Sequence, residues 1–222
     1  MKHIALLTTL LLSASLQAVE KPYDYVFFEN SLMKGDYFYS QAKYTSPSWI
    51  KNARHHLPVA GSVAFTPGNS LELTYVSAPG GDWYSEIQYC PVRGNDFFRE
   101  PSTLSMQVRL RESMNAAALP NIAIRYADST YTQYLNLRNY LKDTRPGVWH
   151  SVSIPLEDFG LNAVNDTNIK KLAAVALRPG TADGNEYTIY LDDIELLPAS
   201  LPSVSALNAP VLQEAKAYER HI

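Results

Sequence analysis

Tyr44 and Trp49 flank Thr45-Ser46-Pro47-Ser48, whose composition is that of a loop, and a second group, Tyr131, Tyr134, Asn136 and Arg138, follows within a short span further on. A loop tryptophan beside a tyrosine suits stacking against the apolar face of a pyranose ring, which removes apolar area from water at little cost in side-chain entropy. Packing of Trp49 beneath its own loop is the competing reading. In the second group, if Leu135 and Leu137 face a core, then Tyr134, Asn136 and Arg138 share the opposite face. A ring, an amide and a guanidinium in a row can stack on a sugar and bridge its hydroxyls. A solvated outer sheet face has the same composition, so the pattern leaves both readings open.

Reactive chemistry is thinly represented. The chain has no Gly-x-Ser-x-Gly elbow, no His-Glu-x-x-His, no phosphate-cradling glycine loop and no cysteine-histidine cluster. His55 and His56 are adjacent, so on an extended strand they point to opposite faces and make poor joint metal ligands. His150 reads as a hydrogen-bonded edge histidine. Cys90 is the only cysteine, which excludes an intrachain disulfide, and its neighbours Ile87 and Tyr89 suggest a buried, inert thiol. Paired acids for glycosidic cleavage are a spatial arrangement that sequence conceals, so a glycoside hydrolase or polysaccharide lyase on a β-sandwich stays as an alternative. The formal charge is −3 and the basic residues are scattered, which argues against nucleic acid as a partner, since that needs a concentrated positive surface. Fifteen tyrosines and three tryptophans suit both a sandwich core and a sugar-facing surface, because such side chains pack with one end and hydrogen-bond with the other.

The elements that must position these residues read as strands. Residues 1–18 resemble no strand: Lys2 and His3 precede an apolar run over 4–16 and a small Ala18, the pattern of a signal peptide. That run is shorter than the about 20 residues a membrane span needs, and no later stretch qualifies. A periplasmic or secreted protein without a transmembrane segment is expected. From residue 23, short β-branched and aromatic runs alternate with Pro, Gly, Asn and Asp. Leu71, Leu73 and Tyr75 point one way over 70–75, and Leu104, Met106, Val108 and Leu110 repeat the device over 103–110. Further strands are read over 122–126, 131–138, 151–156, 172–177 and 187–197. Ala78-Pro79-Gly80-Gly81 and Arg145-Pro146-Gly147 supply breaks with a mechanism, glycine giving positive φ and proline fixing it. Brief turns are read over 156–161 and 165–171, and Trp83 and Trp149 are expected in the core.

This predicts an all-β fold, one antiparallel β-sandwich over 19–198. Residues 199–222 read as a linker followed by a tail or by the start of a next domain.

Three stretches together resemble the galactose-binding-like jelly-roll carbohydrate-binding modules of bacterial polysaccharide-degrading proteins. They are Gly68-Asn69-Ser70-Leu71-Glu72-Leu73 with Gly80-Gly81-Asp82-Trp83, the run from Gly147 to Phe159, and Tyr190-Leu191-Asp192-Asp193-Ile194-Glu195-Leu196. The resemblance implies noncatalytic binding of a polysaccharide or oligosaccharide beside an attached or associated glycan-active enzyme. It also implies a structural calcium ion held by Glu29 on the first strand and Asp192 on the last. Hard oxygen donors of this kind suit calcium. Ile189 and Leu191 share one parity and Ile194 and Leu196 the other, so the strand must bend or bulge at Asp192-Asp193, and a bulge there would turn an acid inward. Asp193 is expected to face away. A structural or protein-interaction domain of the cell envelope, its tyrosines lining an interface, is the further alternative.

Overall fold

The computed structural model describes residues 25–89, 101–161 and 171–198. Residues 1–18, expected to be a signal peptide, Cys90, nearly all of the turn expected over 165–171 and residues 199–222 lie outside the described residues. In chain order the strands are β1 (Tyr25–Phe28), β2 (Ser40–Thr45), β3 (Trp49–Ile50), β4 (Val59–Ala60), β5 (Ser70–Val76), β6 (Asp82–Gln88), β7 (Pro101–Leu110), β8 (Asn121–Tyr126), β9 (Leu135–Asn136), β10 (Trp149–Pro155), β11 (Leu172–Arg178) and β12 (Glu186–Pro198). One sheet runs β10-β7-β12-β5-β3, with β1 added on β12 and β4 on β5, and the other runs β2-β6-β11-β8-β9. Among the described residues the strand pairings are antiparallel.

Strict alternation makes the core. Leu71, Leu73, Leu104, Met106, Val108, Val152, Ile154 and Ile189 come from the first sheet, and Trp83, Ile87, Ile122, Ile124, Val175 and Leu177 from the second, into one buried cluster. Each such aliphatic side chain contributes about 1.5–3 kcal/mol by leaving water. The large aromatics in this layer keep their polar ends satisfied: the Trp83 indole donates to Ser77 Oγ at 2.9 Å and the Tyr75 hydroxyl to the Ala118 carbonyl at 3.0 Å.

Trp149 departs from expectation. Val152 and Ile154 of β10 point inward, so parity carries Trp149 to the outer face, where it is half-buried and meets Phe65 edge-on at 6.0 Å between ring centroids. The strand expected over 131–138 is also shorter than its pattern. Only Leu135 and Asn136 extend, and Leu137–Asn139 close a 3₁₀ turn with the Asn136 side chain as its cap. The short turn at Leu156–Phe159 forms as read, ended by Gly160 at φ 80°. The bulge in β12 is present as well. The register against β7 shifts between Asp192 and Glu195, and Asp193 adopts φ 47°.

Candidate functional site

The outer face of the second sheet carries a trough. Its floor is set by small residues: Ala123 of β8 and Ala174 and Ala176 of β11 alternate with the inward Ile122, Ile124, Val175 and Leu177, so they face outward, yet all three are fully buried. Longer neighbours close over them. Antiparallel register puts Gln41 beside Glu86, Lys43 beside Tyr84, and Arg178 beside Asn121. Side chains from β2, β6, β8, β11 and the loop after β8 thereby meet in a depression of 480 Å³ lined by Gln41, Lys43, Tyr84, Glu86, Arg125, Ser129, Tyr131 and Arg178.

A hydrogen-bonded network holds that lining still. Glu86 is buried, with Oε1 2.5 Å from Arg125 Nε and accepting the Tyr131 hydroxyl at 3.2 Å. The Tyr131 and Tyr84 hydroxyls are 3.1 Å apart. Burial, then hydrogen bonds to Glu86 and Tyr131, push the Tyr84 phenol far above its ordinary value, so it stays a neutral donor. Tyr131 and Tyr134 stack with centroids 6.0 Å apart. The Arg178 guanidinium lies over the Tyr84 ring at 5.5 Å and the Tyr134 ring at 5.7 Å, with Asp82 3.5 Å away.

Beyond Arg178 the trough continues as a second depression of 500 Å³, walled by the turns 78–82 and 179–182 with Asn121 and Tyr134. Two glycines let these turns close in. A Cβ on Gly81 would stand 2.2 Å from the Ser48 backbone nitrogen, and one on Gly180 2.2 Å from the Leu119 carbonyl oxygen. Rings, amides, carboxylates and guanidinium groups side by side make a surface that can hydrogen-bond several hydroxyls while offering ring area to a sugar.

Of the candidate binding residues read from the sequence, Tyr131 and Tyr134 line the trough. Tyr44 is 55% exposed, but it pairs with Trp83 across β2 and β6 and shares that residue's side of the sheet, away from Lys43 and Tyr84. Trp49 is half-buried on an edge strand of the other sheet, opposite Val76. The Asn136 amide is spent internally, donating to the Leu119 carbonyl and Asn121 Oδ1, each at 3.0 Å, and accepting the Arg138 N–H at 3.0 Å. Arg138 follows on the 3₁₀ turn, exposed and apart from the lining. The residues that reasoning from sequence missed, Tyr84, Glu86, Arg125 and Arg178, carry a weak signal: each is polar or aromatic at the outward parity of a strand whose other face carries core residues such as Trp83, Ile87, Ile122, Ile124, Val175 and Leu177.

Residues 24–197 match the family described as carbohydrate binding domain 30. The chain belongs to that family. Like its family, it is a noncatalytic carbohydrate-binding accessory domain. The family 30 module of a cellulosomal cellulase of Clostridium thermocellum shares the fold at 17% identity and TM-score 0.56, over 80% of this chain and 99% of that one. A crystal structure of another family 30 module matches at 18% identity and TM-score 0.56, over 87% of this chain and 97% of that one. The crystal structure of a β-1,2-glucanase from Parabacteroides distasonis matches at 99% identity and TM-score 0.80 over 84% of this chain, which spans only 27% of that chain's length.

A second polar group of this carbohydrate binding domain lies at the β12 bulge. Asp192 is fully buried, its Oδ2 accepting the Phe65 and Thr66 N–H groups at 2.8 and 3.1 Å and its Oδ1 the Asp193 N–H at 2.9 Å. Burial, then the neighbouring Asp193 charge, push its carboxyl up to about 7. Asp193 does not face away as expected. It is 8% exposed and its Oδ2 accepts the Thr66 hydroxyl at 2.8 Å, because the left-handed residue at the bulge turns the second acid in beside the first. Glu29 follows Phe28, which pairs with Ile194, so β1 brings it to the same end of β12. Among the described residues no three His, Cys, Asp or Glu side chains converge as a metal-holding group. A hard cation here would therefore draw on carbonyl or amide oxygens besides the acids, a donor set calcium accepts.

Proposed function

We propose that the chain binds a β-1,2-linked glucan along the trough on the outer face of the second sheet, as the accessory domain of an exported β-1,2-glucanase. The observation that carries this reading is the trough itself: Tyr84, Tyr131 and Tyr134 present ring surface within a network of guanidinium, carboxylate and amide groups. Near-identity to part of a β-1,2-glucanase supports the choice of glucan and an attached enzyme. The apolar run over 4–16 after Lys2 and His3 supports export to the periplasm or beyond. Tyr131 and Tyr134 serve as sugar contacts, and the reading extends the contacts to Arg178 and Gln41. A calcium ion held by Glu29 and Asp192, with carbonyl or amide oxygens completing its shell, would neutralise buried charge and clasp β1 to β12, a structural part that leaves sugar contacts to the trough.

Isothermal titration of the purified chain with linear β-1,2-gluco-oligosaccharides tests the reading. Saturable binding is expected, with Tyr134→Ala weakening it about tenfold through lost apolar contact. Absence of measurable heat and of any retardation in β-1,2-glucan gels sinks it.

A further inference from the structure

Arg178 divides the trough. Among the described residues it is the only side chain common to the two depressions, and it stands half-exposed, at 44%, between the Tyr84 and Tyr134 rings. Three contacts fix it there: both ring faces and the Asp82 carboxylate. A guanidinium in that position covers part of the two ring faces a sugar would otherwise lie on, and offers planar N–H donors upward in their place. The Asp82 contact, at 3.5 Å, engages Nη1, and 44% of the arginine side chain stays exposed.

Resting on the glucan-binding reading, we infer that Arg178 determines which linkage the trough accepts, favouring bent glucans over flat ones. Equatorial β-1,4 links extend glucose residues into a flat ribbon that needs successive coplanar ring faces. Arg178 interrupts that platform at its centre. Linkage through the carbon next to the anomeric centre turns each glucose relative to the last, so a β-1,2 chain can place one residue in each depression and cross Arg178 with hydroxyls from neighbouring residues toward its donors.

The test is the ratio of affinities for β-1,2-gluco-oligosaccharides and cello-oligosaccharides of equal length, measured by titration on wild type, Arg178→Ala and Arg178→Lys. The wild-type chain is expected to prefer the β-1,2 series. Arg178→Ala is expected to lose at least about tenfold toward that series, as removal of a charge-assisted donor does, and to gain affinity for the cello series as the two rings are uncovered. Arg178→Lys keeps the charge without the planar fork and is expected to lose β-1,2 affinity with less gain for the ribbon. A ratio unchanged within twofold in Arg178→Ala, at an unchanged thermal midpoint, overturns the role of Arg178. A wild type that binds both series equally does the same while leaving glucan binding intact, and a wild type that binds neither overturns both.

Discussion

Glu86 couples the stability of the trough to its chemistry. It is a carboxylate on an outward position of a sheet, yet only 4% of its side chain is exposed, and the Arg125 guanidinium beside it is 16% exposed. Taking both charges out of water is costly, and the pair repays that cost only while both members are present. Glu86→Gln keeps the shape and an acceptor for Tyr131 but strands the guanidinium. The expected loss is roughly 3 kcal/mol in urea unfolding, with weaker glucan binding because the Arg125 guanidinium loses the charge that anchors it in the trough. Combining it with Arg125→Met should recover most of the stability and little of the binding. Equal stability of Glu86→Gln and wild type would mean that solvent reaches this pair far better than its burial indicates.

At the scale of elements, the trough depends on turns that approach closely because they lack side chains. The turn after β11 passes the Leu119 carbonyl so tightly that a Cβ on Gly180 would overlap it and the Ala117 carbonyl at 2.2 and 2.6 Å. Both contacts are backbone atoms, which cannot swing aside. Gly180→Ala should therefore push the 179–182 turn outward, lowering stability by about 1–3 kcal/mol as overpacking does. It should also reduce affinity for longer oligosaccharides more than for disaccharides, since one depression is deformed and the other spared. Titration with a length series distinguishes this from general unfolding. Gly80, by contrast, has open space around it but sits at φ 84°, so alanine there strains the backbone without moving the wall.

For the whole molecule, β12 is the strand on which β1, β5 and β7 converge, and its bulge holds the buried acid pair. Asp192 binds its proton more tightly folded, at about 7, than an ordinary carboxyl at 3.8. The folded state then holds more protons than the unfolded chain between those values. Its contribution to stability is full below about pH 4 and is lost as pH rises through about 7. In chelator, the midpoint contributed by this group should fall across that window. Millimolar calcium is expected to raise the neutral-pH midpoint, because an ion bound only by the folded chain stabilises by mass action. Asp192→Asn and Glu29→Gln should each abolish most of the calcium shift. Calorimetry that gives identical midpoints with calcium and with chelator removes the ion from this account and leaves the pH slope as a property of the acid pair alone.

The sequence by itself determined the sandwich, its turns and the bulge. Period-two alternation at Leu71-Leu73-Tyr75 and Leu104-Met106-Val108-Leu110 dictates which face is buried through purely local geometry, and the parity break between Leu191 and Ile194 demands an extra residue wherever the strand is placed. The trough was not legible in the same way. Gln41, Glu86, Arg125, Tyr131 and Arg178 come from strands and a loop far apart in the chain, and they meet only because β6 and β8 flank β11 and β2 pairs with β6. Tyr44 and Trp49 looked like a site because they are close in sequence, yet pairing with Trp83 and Val76 sent them to other surfaces. Which face a strand residue takes is a local matter, whereas which strands become neighbours is decided by nonlocal pairing, and a binding surface assembled across five chain segments exists only once that pairing is made.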